Sequence, residues 1–387
     1  MELEPGGNLD LRGETVDPAT WAAVRAAATG RDGVVRLGRC RFDDARLECA
    51  DFHAVVFEGD VSFDRAEFRR GTAFREAVFA GNVGFHETVF HRGVTFHRAA
   101  FRRHAGFTSA RFNGDALFTE ARWDADAAFT GATFLGAADF DGSACARDVQ
   151  AQETRFSSPV SWRDGSVGRH LLLDRAVFRD CAWLGPLVVG GRISLNSARA
   201  SRTLRLTAAA PRVSIRNAVL RTTKLRAVKP GGHADLSHTS ATDLHLQGGG
   251  AHTLTGTVAD AARLTDVDLG ACLFESAELA DLRLCGCSGR LAEEPAPWTA
   301  ALYRRLADAT DDPDQARDFR FRSVEIYRRS HPSAWWRFLL TLCRVTSGYG
   351  NDPVRTHITI ALLIAAALLL TGLGVEDGTA LTHLAHP

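Results

Sequence analysis

Histidine is the commonest side-chain ligand for transition metals, and His86, His91, His97 and His104 sit close together in this chain. The first three each follow a phenylalanine directly, at Phe85, Phe90 and Phe96. A zinc site needs three or four donors converging on one point. The Phe spacing puts these residues on successive walls of a coil, so their imidazoles point in different directions and read as solvated outer-wall groups. Cys285 and Cys287 are one residue apart with no second pair nearby. They read as the end of a repeat rather than as a metal site. Cys40, Cys181 and Cys272 occupy small, inward repeat positions, the reading for buried free thiols. No GxGxxG, GxxxxGK[ST], GxSxG or HExxH string occurs, and the "GGG" at 248–250 has no phosphate-site context. No catalytic residue, cofactor, metal or small-molecule substrate is expected.

The elements that carry these residues follow from a repeat. Large apolar centres recur at Phe42, Leu47, Phe52 and Phe57, and from there at alternating steps of six and five to Phe140. Two residues before each centre stands Ala, Val, Thr or Cys. On an α-helix a five-residue step would set successive rings about 140° apart and leave no polar face. In a flat strand an odd step would flip every second ring to the other side.

A coil with four short walls of 5, 6, 5 and 6 residues removes the conflict. Phe52, Phe74, Phe96, Phe118 and Phe140 then stack as one inner column, and Phe57, Phe79 and Phe101 as another. Gly59, Gly71, Gly81, Gly93, Gly114 and Gly136 mark six-residue corners, where glycine would supply positive φ.

The strings "ADF", "AEF", "AAF", "ARF" and "ATF" resemble pentapeptide repeats, a family whose fold is a right-handed four-sided β-helix. The resemblance is densest over 35–141 and returns at Leu264, Leu269, Phe274, Leu279 and Leu284. Between these blocks, Leu173, Phe178 and Trp183, then Ile215, Leu220 and Leu225, keep five-residue spacing, and Leu236 and Leu246 are ten apart. "TAAAP" and "KPGGH" read as insertions bulging from corners. The expected architecture is mainly β: an N-terminal cap over 1–34, a solenoid over 35–288, helices over 297–346, a transmembrane helix over 356–375 and a short tail over 376–387. In the cap, "VDPATWAAVRAAATG" predicts a helix with Asp17 as N-cap, Pro18 in the first turn and Gly30 as stop.

Composition sets the remaining bounds. The net charge is zero and Lys occurs only at 224 and 229. "MELEPGG" is acidic without an apolar run, so no signal peptide is expected. In the C-terminal region, Leu302, Leu306 and Ala309 form one helical stripe, and Phe319, Val324 and Tyr327 an apolar side of the next helix. Trp335, Trp336 and Phe338 beside Arg337 and Arg344 fit either a membrane-surface helix or a buried docking helix.

Ile358–Val375 is uncharged and long enough to approach the ~30 Å hydrocarbon core. Arg337, Arg344 and Arg355 precede it and no Lys or Arg follows. The expectation is a single-pass protein of the cell membrane with its N-terminus in the cytoplasm. Tyr303, Arg304, Ala316, Phe319, Glu325, Arg328 and the "SGYG" of 347–350 resemble the juxtamembrane helices of membrane-associated actinobacterial pentapeptide-repeat proteins. Some relatives continue into an ion-channel pore loop. The likeness stops after Val375, so channel activity is not carried over, and a truncated regulatory part of such a channel stays as an alternative.

Another alternative is a DNA mimic that inhibits a topoisomerase, as some members of the family are. Mimicry needs a strongly acidic rod. Residues 65–111 hold nine Arg and only Glu67, Glu76 and Glu87 as acids, so nucleic-acid chemistry is disfavoured. Arg69, Arg70, Arg98, Arg102 and Arg103 are candidates for contact with an anionic surface. The competing reading is a solvated wall whose Arg stems cover neighbouring rings. The expected function is a non-catalytic, membrane-anchored scaffold presenting a rigid wall to a cytoplasmic protein partner.

Overall fold

The computed structural model describes residues 4–48, 51–227, 233–248, 252–269, 272–285, 287, 297–350 and 353–373. The chain divides into two compact units, Met1–Ala292 and Glu293–Pro387.

The first unit is a parallel β-solenoid of about eleven turns. Each 22-residue coil in the regular block carries four two-residue strands, and each pairs with its equivalent one coil on. Val56, Val78 and Ala100 form one ladder, and Val61, Val83 and Ala105 a second. Glu67, Val89 and Arg111 form a third, and Thr72, Val94 and Ala116 a fourth. The second ladder runs through twelve strands. Parallel pairing in strict register keeps each side chain above its own type, so inward positions stay inward from coil to coil.

The interior is a set of aromatic columns. Phe74 and Phe96 lie 4.8 Å apart with planes within 1°, and Phe96 and Phe118 are again 4.8 Å apart. Phe52–Phe74, Phe118–Phe140, Phe57–Phe79 and Phe79–Phe101 repeat that stacking at 4.6–5.0 Å. Adjacent columns meet edge to face, as Phe85 does with Phe96 at 5.6 Å, so each ring's positive edge faces a neighbour's negative face.

Two kinds of corner join the walls, and the glycine expectation is corrected at both. None of Gly59, Gly71, Gly81, Gly93, Gly114 and Gly136 has positive φ. The left-handed residues lie in the five-residue corners and are mostly not glycine: Arg65, Glu76, Glu87, Arg98, Ser109 and Glu120, with φ of 55–57° apart from 54° at Glu87. There Ala66 N donates to Phe63 O at 3.0 Å, a turn whose third residue must be left-handed. Four of these six glycines, Gly59, Gly81, Gly114 and Gly136, are selected by close approach instead, whereas Gly71 and Gly93 have room for a Cβ. A Cβ on Gly81 would stand 2.5 Å from Gly59 O, and one on Gly136 2.3 Å from Gly114 C.

Past Trp162 the cross-section changes. Ala182–Val189 is one strand that pairs with both Val160–Trp162 and Gly165–Val167, so the corner between two walls is absorbed. Residues 207–209 of "TAAAP" belong to the strand Leu204–Ala209 rather than to a corner bulge, and later coils shorten rather than lengthen, with Leu206 over Leu225 and Leu246 over Leu264. Residues 229–232, all of "KPGGH" but its His233, lie outside the described residues.

Register also corrects Trp183. Trp162 pairs with Leu184, so Leu184 is the inward centre and Trp183 faces outward, under the Arg163 guanidinium at 5.8 Å. Cys181 is accordingly half-buried, whereas Cys40 and Cys272 are buried.

Helix α1 (Pro18–Ala28) covers the start of the solenoid. Asp17 caps it, accepting from Thr20 N at 2.7 Å, and Trp21 packs on Phe52 with ring centres 4.4 Å apart. The helix ends because Thr29 turns extended and bridges Val35; Gly30 is not left-handed.

The second unit holds α2 (Pro297–Ala309), α3 (Pro313–Ser330), α4 (Ala334–Ser347) and α5 (Pro353–Leu373). Tyr303 of α2 packs on Phe319 of α3 with ring centres 5.9 Å apart, and Leu302 and Leu306 are buried. The buried residues of α3 are Ala316, Phe319, Ser323, Glu325 and Ile326, while Tyr327 is exposed and Val324 half-buried, which corrects the stripe read from sequence. Helix α4 buries none of its residues. Among the described residues no helix is long and apolar enough to cross a membrane. The span expected over 356–375 runs past Leu373 and so partly outside the described residues, as does the tail over 376–387.

Candidate binding surface of the solenoid

The outer walls consist of residues that alternate with the inner columns, and many of their polar groups hold the next coil. Asp64 Oδ1 accepts from His86 N at 2.9 Å, Asp60 Oδ1 from Asn82 N at 2.8 Å, and Asp148 Oδ1 from His170 N at 3.0 Å. These carboxylates satisfy backbone amides that the short strands leave unpaired, so their role is structural.

The four histidines do not converge. His97 Nδ1 lies 2.8 Å from Thr119 Oγ1, and His91 Nε2 stands 3.4 Å from the Glu67 carboxylate. Only His86 and His104 share a feature: both line a shallow groove of about 580 Å³ on the second-ladder wall. Its floor is Gly84 and Gly106, side-chain-free positions directly in register. Asp64 and Thr108 rise on one side, and Asp60 and Asn82 on the other, with Arg39 and Arg41 at one end. No spacing rule pointed to this groove. Its signal in the sequence was glycine at the outward position directly before Phe85 and Phe107.

The candidate arginines separate into two groups. Arg98 bonds Glu120 at 2.8 Å, Arg102 bonds Asp124 at 2.8 Å, and Arg69 pairs with Glu67 at 2.8 Å. Arg70 and Arg103 are exposed with no carboxylate within 4.0 Å among the described residues. Exposed pairs such as Arg98–Glu120 contribute little to stability, but they cancel the charge that an anionic surface would need.

Buried thiols are not poised for chemistry. Burial pushes Cys40 and Cys272 up to about 12, far from the thiolate form. Among the described residues no group of three His, Cys, Asp or Glu side chains is arranged to hold a metal ion.

In the helical unit, three of the residues that carried the juxtamembrane resemblance, Glu325, Arg328 and Tyr349, meet, and Arg329 and Arg344 join them. The Glu325 carboxylate accepts from Arg328 at 2.7 Å, Arg329 at 3.0 Å, Arg344 at 3.2 Å and Tyr349 Oη at 2.8 Å. Burial by itself would raise its pKa, but the donors from Arg328, Tyr349 and Arg329 outweigh it and hold the group at about 2. Tyr349 is pushed up to about 12, by burial and by its bond to that carboxylate.

The family model for pentapeptide repeats matches residues 52–100 and 96–144, the block where the coil is most regular. Residues 52–144 are pentapeptide repeats. Their ring and small-residue positions are the inner columns, and their outward positions build the groove. Among solved structures, this chain is similar to HetL, a pentapeptide repeat protein involved in heterocyst differentiation regulation from the cyanobacterium Nostoc sp. strain PCC 7120. The identity is 14%, the match covers 72% of this chain and 89% of that one, and the TM-score is 0.13. A comparison with curated proteins finds no match.

Proposed function

We propose that this pentapeptide-repeat protein is a non-catalytic scaffold whose solenoid wall receives a protein partner. The carrying observation is the groove over Gly84 and Gly106, a concave strip on the second-ladder wall. The four ladders per 22-residue coil support a four-sided winding, and a right-handed turn belongs to the same proposal.

The test uses Gly106→Trp. A Cβ there meets nothing nearer than Val83 O at 3.9 Å, and φ is not positive, so the ring fills the groove without disturbing the coil. The variant should melt like the parent and lose partners that co-purify with it. Undiminished partner recovery would remove the groove from the account.

Attachment to a membrane is the second part of the proposal. Trp335, Trp336, Phe338, Leu342 and Val345 of α4 are exposed, as are Ile358, Ile360, Leu362, Leu363 and Ile364 of α5. Apolar surface of this extent and aromatic character suits a bilayer interface, with the single-pass span and cytoplasmic solenoid as the fuller form. The full chain should float with lipid vesicles, and a chain lacking residues 354–387 should not. Flotation of the shortened chain would move the anchor to α4.

A further inference from the structure

We infer that the corner built by Arg70, Gly71, Arg92 and Gly93 binds a phosphate group, carried by a phosphorylated side chain of a partner protein. Phe68 pairs with Phe90 and Thr72 with Val94, so Arg70 and Arg92 hold equivalent places on successive coils, about 4.8 Å apart. Both are exposed, and neither has a carboxylate within 4.0 Å among the described residues. Of the acids nearby, Glu67 is held by Arg69 at 2.8 Å and faces His91, and Asp115 accepts from Ala137 N at 2.9 Å. Two like charges one rung apart repel, and an oxyanion between them relieves that.

Two further observations concern the backbone. Arg69 N, Thr72 N, His91 N and Val94 N all donate to carbonyls of neighbouring coils. The N–H groups of Arg70, Gly71, Arg92 and Gly93 donate to no acceptor among the described residues. Successive free amides at a turn form an anion-binding concavity. The glycines themselves are not required by coil stacking. A Cβ on Gly71 would meet only Gly93 O at 3.7 Å, and one on Gly93 only Asp115 O at 3.5 Å. Gly81 and Gly136, by contrast, have no room for one. At Gly71 and Gly93 the missing side chain removes cover from the turn, while Gly114 of the next coil packs against the Arg92–Gly93 peptide.

A single dianion fits this corner better than a lipid surface does. Arg98 and Arg102 are neutralised by Glu120 and Asp124, whereas Arg70 and Arg92 form an unpaired couple one rung apart, a spacing suited to one dianion. A phosphorylated Ser, Thr or Tyr supplies close to two charges and three acceptor oxygens. That the phosphate arrives on a protein rests on the scaffold reading; phosphate binding itself is tested apart from it.

Inorganic phosphate and phenyl phosphate are titrated into the full chain, with the arginine side-chain NMR resonances as readout. Phosphate should move two of them, and Arg70→Gln/Arg92→Gln should weaken binding tenfold or more. Arg98→Gln/Arg102→Gln should leave it unchanged. Gly93→Ala should weaken it several-fold while melting like the parent. Equal phosphate affinity in the Arg70/Arg92 variant and the parent would overturn the site. So would Arg70- and Arg92-dependent binding to phosphatidylglycerol vesicles with no response to phosphate.

Discussion

Tyr349 Oη donates a 2.8 Å hydrogen bond to Glu325, twenty-four residues away, from a backbone held at φ 59°. A tyrosine in the left-handed region is strained by roughly 1–2 kcal/mol, so the turn depends on what its side chain reaches. Gly348 precedes it at φ 54° and ends α4 without a Cβ penalty. Together they swing the phenol back onto a carboxylate that already holds Arg328, Arg329 and Arg344.

Glu325→Ala leaves those donors without their acceptor and should destabilise the helical unit by about 3 kcal/mol. Tyr349→Phe should cost about 1 kcal/mol. The same carboxylate makes the unit acid-sensitive. Its folded pKa of about 2 lies below the ordinary 4.5, so its contribution is complete above pH 4.5 and fades as pH falls toward 2. Hydrogen exchange over α3 and α4 should rise across that window in the parent and much less in Glu325→Gln. A flat exchange profile in the parent would contradict the assignment.

Phe96 stacks on Phe74 and Phe118 and meets Phe85 and Phe107 of a facing column edge to face. Phe96→Ala should cost about 3–5 kcal/mol in chemical denaturation, because the columns on either side are fixed by backbone register and cannot collapse into the gap. A midpoint within error of the parent would mean that the aromatic stack carries little of the stability.

The two kinds of corner predict opposite signs for small substitutions. Ser109 sits at φ 57° in a five-residue corner, so Ser109→Gly removes strain and should stabilise by about 0.5–1 kcal/mol. Gly81 is packed against Gly59, so Gly81→Ala should destabilise by about 1–3 kcal/mol. Melting curves that move in the same direction for both variants would refute the division.

The alternation of five and six was enough to place Phe52 through Phe140 inside, because a large ring repeated at that interval has one consistent location in a coiled chain. It was not enough past Phe140. The inward set continues through Cys145, Ala151, Phe156, Trp162, Val167, Leu173, Phe178 and Leu184, but small residues at ring positions break the visible pattern. Trp183 then drew the register one residue off, since a bulky aromatic next to the true centre mimics it. The corners had to be seen in three dimensions. Whether glycine is present for positive φ or for lack of room depends on the coil above, twenty-two residues away.

The linear chain by itself settled that a 22-residue coil with an aromatic interior would form, because burial of evenly spaced rings leaves few geometries open. Only the tertiary structure decided which outer residues are free. Arg70 and Arg98 look alike in the sequence, and a carboxylate one coil away neutralises Arg98 and not Arg70. Charge pairing is a property of neighbours in space, and on a solenoid those neighbours are a full coil away along the chain.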